Sequence, residues 1–119
     1  MKKTGPTNPN MKKLIADLHS LATKEKLKMW KRIAEELKKP TRSRREVNIE
    51  RINRSTKKDE TIIVPGKVLS KGELNHNVKV AAWKFSEAAK QKINKSGKAI
   101  SIQELIKENP KGKKVRIIG

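Results

Sequence analysis

The spacing of apolar residues changes once along this chain, close to residue 47, and that change limits the folds available to it. Between residues 10 and 37, apolar side chains recur every three or four positions, as on one face of an amphipathic helix. After residue 47, short β-branched runs alternate with short helical patterns. Strands that alternate with helices are typical of α/β units. The sequence therefore predicts a small α/β domain that follows an N-terminal helical segment.

The N-terminal helical segment contains two apolar stripes that face different directions. The first stripe covers residues 11–22 and the second covers residues 27–37. At about 100° per residue, the centre of the second stripe lies roughly 120° around the helix axis from the first. Because one straight helix would then face two ways, we predict two helices joined by a turn near Thr23–Lys26. Asn10 is predicted to cap the first helix, and Pro40 to end the second.

Shifts in composition divide the chain into four parts. Glycine and proline interrupt any regular pattern at the N-terminus, which indicates an extended arm. The predicted parts are the arm (1–9), the helical segment (10–39), a basic linker (40–46) and the α/β domain (47–119).

Four β-branched or alternating runs predict strands in the α/β domain. They are residues 61–64, 78–83, 99–100 and 115–118. Pro65 and Gly66 directly follow the first run, so we predict a turn there and leave residues 67–69 open as a continuation of the strand beyond it. Residues 70–73, which include Gly72, predict a second turn.

Asn and Ser residues at suitable positions predict three short helices in the same domain. The predicted N-caps are Asn48, Ser86 and Ser101. The helix after Asn48 is expected to end near Asn53, and the helix after Ser86 at Gly97. Ser101 and Glu104 have the spacing of a capping box, and Asn109–Pro110 is expected to stop the third helix.

The charge of the chain indicates an anionic partner. It has 31 Lys or Arg against 12 Asp or Glu, a formal charge of +19 and a pI near 10.5. A small domain with a pI above about 9 has the electrostatic character of a nucleic-acid binder. The surplus is +10 in residues 1–60 and +9 in residues 61–119. This even spread favours a basic globule that contacts nucleic acid over more than one face, rather than a neutral core with a basic tail.

Two basic runs indicate phosphate contacts. Residues 38–45 include five basic and no acidic or apolar side chains, so they lie exposed or against a partner. Arginine binds phosphate through two parallel hydrogen bonds, and the alternative is a solvated loop. For the second run, residues 111–116, the alternative is a frayed tail. Lys67 and Lys71, which flank an apolar strand and a glycine turn, are further candidates.

Catalytic and cofactor chemistry find little support in the sequence. His19 and His76 stand apart, and a surface or packing role is favoured for each. No cysteine is present, no His, Asp or Glu cluster has the spacing of a metal site, and no cofactor is predicted. Residues 65–67 lack the remainder of a phosphate-binding loop pattern. Trp30 and Trp83 could stack on bases, but both follow apolar patterns, so core packing is predicted.

Four strings carry a resemblance to a known family. They are Thr4-Gly5-Pro6-Thr7-Asn8-Pro9, Lys39-Pro40-Thr41-Arg42-Ser43-Arg44-Arg45-Glu46-Val47-Asn48, Val64-Pro65-Gly66-Lys67-Val68-Leu69 and Phe85-Ser86. In this order and spacing they resemble the archaeal and eukaryotic large-subunit ribosomal protein eighteen family, which is related to bacterial ribosomal protein fifteen. The match runs from about residue 4 to residue 118, and the compact length is similar to that of archaeal members.

The resemblance implies a structural, non-enzymatic component of the large ribosomal subunit. It implies an irregular α/β globule of strand–strand–helix turns, preceded by helices. It also implies RNA contacts in the N-terminal arm, the Arg42–Arg45 segment and the Pro65–Lys67 turn with Lys71. Together, the basic clusters and the resemblance predict RNA contacts at Lys2, Lys3, Lys39, Arg42, Arg44, Arg45, Arg51, Arg54, Lys67, Lys71, Lys111, Lys113 and Lys114.

Two functional hypotheses follow from different classes of protein. The first is a cytoplasmic constituent of the large ribosomal subunit that binds ribosomal RNA through phosphates and shape, beside neighbouring ribosomal proteins. The alternative is a free, sequence-nonspecific nucleic-acid-binding or chromatin protein, which would bind duplex DNA and folded RNA equally well. An enzyme acting on phosphorylated substrates lacks a nucleophile or base constellation. No run of apolar residues has the length of a membrane span, and neither a membrane nor a small-molecule substrate is predicted as a partner.

Overall fold

Helices and strands alternate along the chain in a computed structural model that describes residues 9–39, 45–112 and 114–118. Five helices and five strands occur within these residues. In chain order they are α1 (Pro9–Glu25), α2 (Lys28–Leu37), β1 (Arg45–Asn48), α3 (Ile49–Ser55), β2 (Glu60–Leu69), β3 (Val78–Phe85), α4 (Glu87–Ser96), β4 (Lys98–Ser101), α5 (Ile102–Glu108) and β5 (Val115–Ile117). The predicted α/β fold with two N-terminal helices is confirmed.

The strands form one parallel sheet in which β2 is the longest member. The order is β1-β2-β3-β4, and β5 also pairs with β2. β3 runs beside both halves of β2, whereas β1 pairs with residues 66–69 and β5 with residues 61–63. Therefore β1 and β5 occupy the same side of β2, one at each end.

Each face of the sheet is covered by its own apolar cluster, because successive side chains of a strand point to opposite faces. Ile63 and Ala81 lie in a cluster with α1, α2 and α5. Ile62 and Val80 lie in a second cluster with α3 and α4. The result is a three-layer arrangement in which burial of each isoleucine contributes about 1.5–3 kcal/mol.

The N-terminal segment folds as two helices, as the two stripes predict. Lys26 has a φ of 58° and reverses the chain, and the backbone N–H of Leu27 donates to the carbonyl of Ala22 at 3.1 Å. The prediction that Asn10 caps α1 is wrong, because the helix already includes Pro9. Proline suits the first helical position, where its missing N–H would have no intrahelical acceptor. α2 ends at Leu37.

The largest correction concerns Pro65 and Gly66, which do not form a turn. β2 continues through both residues, and both are buried. Val64 pairs with Ala82 and Lys67 with Lys84, so β2 has one residue more than β3 over this stretch. The result is a β-bulge, in which Pro65 needs no ladder hydrogen bond and so fits inside a central strand.

Two further boundaries differ from the sequence predictions. Arg45 and Glu46, which were assigned to the basic linker, belong to β1, whose pairing with β2 leaves no local signal in the sequence. α3 extends to Ser55 rather than ending near Asn53. The limits of the arm and of the linker fall mainly on residues 1–8 and 40–44, which lie outside the described residues, so the four-part division stays a prediction.

The serine caps follow the prediction. Ser86 Oγ accepts a hydrogen bond from the backbone N–H of Ala89 at 3.2 Å at the start of α4, and Gly97 follows its last residue. Ser101 and Glu104 form a reciprocal capping box at the start of α5, with both hydrogen bonds at 3.1 Å.

Candidate nucleic-acid interface

The carboxyl ends of β1 to β4 meet at one edge of the sheet because these strands are parallel. In open α/β sheets this is the edge at which ligands bind. We call this region the carboxyl edge and define it by residues 45–48, 67–71, 84–86 and 101. Three predicted contacts fall on it, namely Arg45, Lys67 and Lys71. The backbone of Arg45 lies in β1 opposite Gly66.

Lys67 and Lys84 lie side by side at the carboxyl edge. They are Cα partners in β2 and β3, and adjacent strands are about 4.8 Å apart. Both side chains are exposed, and neither is in an ion pair with any described residue. Glu46 is the partner of Lys67 on the β1 side, yet it forms no ion pair with Lys67. Two exposed ammonium groups, neither of them paired with a described residue, are therefore carried by neighbouring positions of β2 and β3.

Lys71 is presented by a loop that three other elements hold in place. Its backbone N–H donates to Asn48 Oδ1 at 3.3 Å, and its carbonyl accepts from the N–H of Glu50 at 2.9 Å. Asn48 precedes α3, as predicted, but its side chain holds this loop rather than capping the helix. Lys92 Nζ donates to the carbonyls of Ser70 at 2.9 Å and Gly72 at 2.8 Å. The Lys71 side chain remains 73% exposed, 4.0 Å from Glu50.

Gly72 is required in this loop for two reasons. Its φ is +99°, which side chains disfavour, and an added Cβ would lie 2.4 Å from the Cβ of Glu50. The close approach of the loop to α3 fixes the position of Lys71. The turn predicted at residues 70–73 is therefore determined by the backbone conformation of Gly72 and by its close contact with α3.

α3 presents two of the predicted arginines to solvent. Ile49 and Ile52 are fully buried, and this places Arg51 and Arg54 on the exposed part of the helix. Neither arginine is in an ion pair within the described part of the chain. Their guanidinium groups are thus available to an external anion.

The segment at residues 109–112 is pinned to α2 rather than frayed. The indole N–H of Trp30 donates to the carbonyl of Pro110 at 2.9 Å, and Gly112 lies against Met29. Lys111 is 68% exposed and lies 3.5 Å from Glu25. The backbone of Lys114 has a φ of 57°, and its side chain is exposed.

The remaining predicted contacts are distributed differently. The ammonium group of Lys39 lies 3.1 Å from the carboxylate of Glu36, three positions earlier in the chain. Five predicted contacts lie wholly outside the described residues, namely Lys2, Lys3, Arg42, Arg44 and Lys113, and the side chain of a sixth, Arg45, also lies outside them.

The opposite end of the sheet has a different electrostatic character. We call it the amino edge and define it by residues 59–61, 77–79, 98, 108 and 116. Lys79 lies 2.8 Å from Glu108, and Arg116 lies 3.4 Å from Glu60. The hydrogen bond and charge of Lys79 hold the pKa of Glu108 below its ordinary value. These cations are neutralised within the chain.

Two features of the interface were missed by sequence reasoning. Lys84 becomes notable only when the register places it beside Lys67. The turn between α1 and α2 also lines a cavity of about 350 Å³ with Lys26, Lys28 and Lys31, together with His19. The three lysines lie within six sequence positions, and this local concentration of positive charge could have indicated a candidate phosphate contact at the turn.

The described residues hold no group of three or more His, Asp or Glu placed to bind a metal ion. None of the helices described is long and apolar enough to cross a membrane.

Comparison with known proteins gives a consistent result over the whole chain. The family model described as ribosomal protein 60S L18 and 50S L18e matches residues 1–119. The chain is similar to "Large ribosomal subunit protein eL18" of Methanothermobacter thermautotrophicus, at 43% identity over 99% of this chain and 98% of the relative. The relatives of the same name in Haloarcula marismortui and Sulfurisphaera tokodaii are each 47% identical, over 94% and 98% of this chain and 97% and 96% of their own lengths.

These matches confirm the predicted family and its archaeal type. They also confirm the non-enzymatic function that the sequence favours. The chain belongs to the ribosomal protein 60S L18 and 50S L18e family, as a structural constituent of the large ribosomal subunit.

Proposed function

We propose that this chain binds large-subunit ribosomal RNA through phosphate and shape contacts, with the carboxyl edge as its principal contact surface. The observation that carries this proposal is the pair Lys67 and Lys84. Like charges on adjacent strands are destabilising, and no described carboxylate neutralises these two. An RNA phosphate would neutralise them.

The composition of the chain supports RNA as the partner. A charge of +19 spread over both halves suits a globule that is surrounded by phosphates. The relatives are named as proteins of the large ribosomal subunit. Ribosomal RNA is the abundant polyanion of that subunit. Lys71 and Arg51 extend the exposed positive charge beyond the central pair, whereas Arg54 precedes Ser55, whose carbonyl accepts a hydrogen bond from Arg116 of the amino edge. In this function the protein stabilises the RNA fold during assembly and translation, in contact with neighbouring ribosomal proteins.

A triple substitution tests the carboxyl edge. Each lysine that contacts a phosphate releases counterions, so the combined variant Lys67→Ala, Lys71→Ala, Lys84→Ala is expected to lower the salt slope of binding by about two to three units. Affinity for deproteinised large-subunit RNA is expected to fall at least about tenfold, since hydrogen bonds to charged groups contribute roughly 1.5 kcal/mol. Filter binding at several salt concentrations measures both quantities.

The matched control removes the same number of charges from cations that are already paired. In the variant Lys38→Ala, Lys79→Ala, Arg116→Ala, each lost cation has a carboxylate within 3.4 Å. The salt slope of RNA binding by this control variant is expected to change by less than one unit. Equal losses in the two triple variants would contradict the assignment of the carboxyl edge.

The arginine segment is tested in the same assay. Replacing Arg42, Arg44 and Arg45 with alanine is expected to lower the slope by several units, because each guanidinium can contact a phosphate. An unchanged affinity and slope would remove this segment from the proposed interface.

A competition experiment separates ribosomal RNA binding from general nucleic-acid binding. Duplex DNA of equal phosphate concentration is expected to compete at least about tenfold less well than large-subunit RNA, because shape as well as charge is recognised. Equal competition would favour the free, nonspecific nucleic-acid-binding protein.

A further inference from the structure

A small cavity lies between β3 and β4, beside the carboxyl edge. Its volume is about 150 Å³, and a cavity of about this size holds a single six-membered aromatic ring. The side chains that line it include two aromatic groups, a cation and a carboxylate. They are Trp83, Phe85, Lys90 and Glu104, with Ala82, Ala99, Ile100 and Ser101.

Trp83 and Trp30 both pack in the cluster with α1, α2 and α5, but they differ in burial and in hydrogen bonding. Trp30 is fully buried, and its indole N–H is bonded to the carbonyl of Pro110 at 2.9 Å. Trp83 is only half-buried, and its indole N–H has no hydrogen-bond partner among the described residues. Core packing, which was predicted for both, therefore accounts for Trp30 and for only part of the surface of Trp83.

The polar groups around the cavity are suited to a nucleotide. Glu104 Oε1 accepts from the backbone N–H of Ser101 at 3.1 Å, which fixes the carboxylate and leaves its second oxygen as an acceptor. Lys90 is exposed and is in no ion pair with a described residue. Lys84 lies between the two aromatic residues in sequence and belongs to the unneutralised pair with Lys67.

We infer that this cavity takes one unstacked base of the bound ribosomal RNA, with the phosphate that flanks this base on Lys90. The aromatic walls offer a stacking surface for the face of a base. The free oxygen of Glu104 accepts from an exocyclic amino group, which cytosine carries and uracil lacks, and both of these bases have the single ring that the cavity volume allows. This inference rests on the proposed function and adds to phosphate recognition a contact that reads the base.

Intrinsic fluorescence tests the stacking directly, since the chain has two tryptophans and no tyrosine. Single-stranded RNA hexamers of cytidine and of uridine are added to the full chain at low salt. The cytidine hexamer is expected to quench about a third or more of the wild-type emission, and the uridine hexamer to quench less at equal concentration. In Trp83→Phe, where only Trp30 reports, quenching is expected to stay below about one tenth. Equal quenching of the wild type and Trp83→Phe would overturn the inference.

A binding series separates the base from the phosphates. Trp83→Leu is expected to weaken binding to large-subunit RNA about tenfold, the usual effect of losing one stacked base, while the salt slope stays unchanged. Trp83→Phe keeps a stacking ring, so its affinity is expected to remain within about threefold of wild type. Lys90→Gln is expected to lower the slope by about one unit.

Failure of this inference is distinguishable from failure of the proposed function. If Trp83→Leu binds RNA as wild type does, while the Lys67, Lys71 and Lys84 triple variant loses slope, the base contact is wrong and the phosphate surface stands. Trp83 emission could instead change only when the chain is incorporated into large subunits, and not with hexamers or large-subunit RNA. That result would mean that the cavity takes a side chain of a neighbouring protein, and it would overturn the inference.

Discussion

The two ends of the same parallel sheet treat their charges in opposite ways. At the amino edge, Lys79 and Arg116 lie within 3.4 Å of Glu108 and Glu60. At the carboxyl edge, Lys67 and Lys84 are neighbours in register, and neither is in an ion pair with a described residue. The cations Lys79 and Arg116 of the amino edge are therefore paired within the chain, whereas Lys67 and Lys84 remain available to the anion that we propose as partner.

The contrast separates cations that the fold itself pairs from cations that are available to the proposed partner. Net charge alone does not distinguish them, because the surplus is nearly equal in the two halves of the sequence. The loop around Lys71 strengthens the contrast, since backbone hydrogen bonds and Lys92 hold the loop while its own ammonium group stays exposed. Rigid backbone beneath exposed cations is the arrangement expected of a preorganised binding surface.

The largest expected effect on the fold comes from Gly72, which directly follows Lys71 of the carboxyl edge. Gly72→Ala combines a φ of +99° with a Cβ placed 2.4 Å from the Cβ of Glu50, so we expect a loss of about 3 kcal/mol in the free energy of unfolding. Urea denaturation followed by circular dichroism measures the loss.

The matched control for Gly72 is Gly112, which also has a positive φ. There an added Cβ would meet the terminal methyl of Met29 at 2.4 Å, and that flexible side chain can move aside. Gly112→Ala is expected to cost about 1 kcal/mol. Similar costs at the two glycines would show that the loop carrying Lys71 is not held as described.

An intermediate effect is expected from one substitution made at both ends of β3. Lys84→Gln removes a like charge beside Lys67 and is expected to raise the free energy of unfolding by roughly 0.3 kcal/mol. Lys79→Gln removes the partner of Glu108 and is expected to lower it. Chemical denaturation at low ionic strength gives both values, and the same sign for both variants would break the comparison between the edges.

The smallest effect concerns acid at the amino edge. Lys79 holds the pKa of Glu108 below its ordinary value of 4.5, so the pair contributes stability above that pH and loses it as the pH falls through the lowered value. NMR titration of the Glu108 carboxyl is expected to show its midpoint rising toward the ordinary value in Lys79→Gln. An unchanged midpoint would mean that the pair does not form in solution.

Much of the fold could be predicted from local patterns. The two stripes of the N-terminal segment, Ser86 and the Ser101–Glu104 capping box each act within a single helix, and all three predictions are confirmed. The bulge at Pro65–Gly66 and the strand β1 could not be predicted from local patterns. A Pro-Gly pair ordinarily marks a turn, and only strand pairing on both sides turns it into a bulge.

The candidate site was less predictable than the fold. Lys67 and Lys71 were identified from their position beside an apolar run, but the predicted turn between them and Val64 does not exist. Lys84 was missed because its importance arises from its register with Lys67, which a single sequence does not reveal. The family was predictable because short strings in a fixed order identify relatives without any knowledge of pairing.

The central claim is that the carboxyl edge, and not the amino edge, faces ribosomal RNA. The chain has no cysteine, so Lys84→Cys and Lys79→Cys each introduce a single attachment point, at opposite ends of the same strand. Each variant is labelled with an iron chelate, assembled into large subunits, and used to cleave nearby RNA with hydroxyl radicals. We expect strong, localised cleavage from position 84 and at most about a third as much from position 79. Equal cleavage from both positions, or stronger cleavage from position 79, would contradict the account.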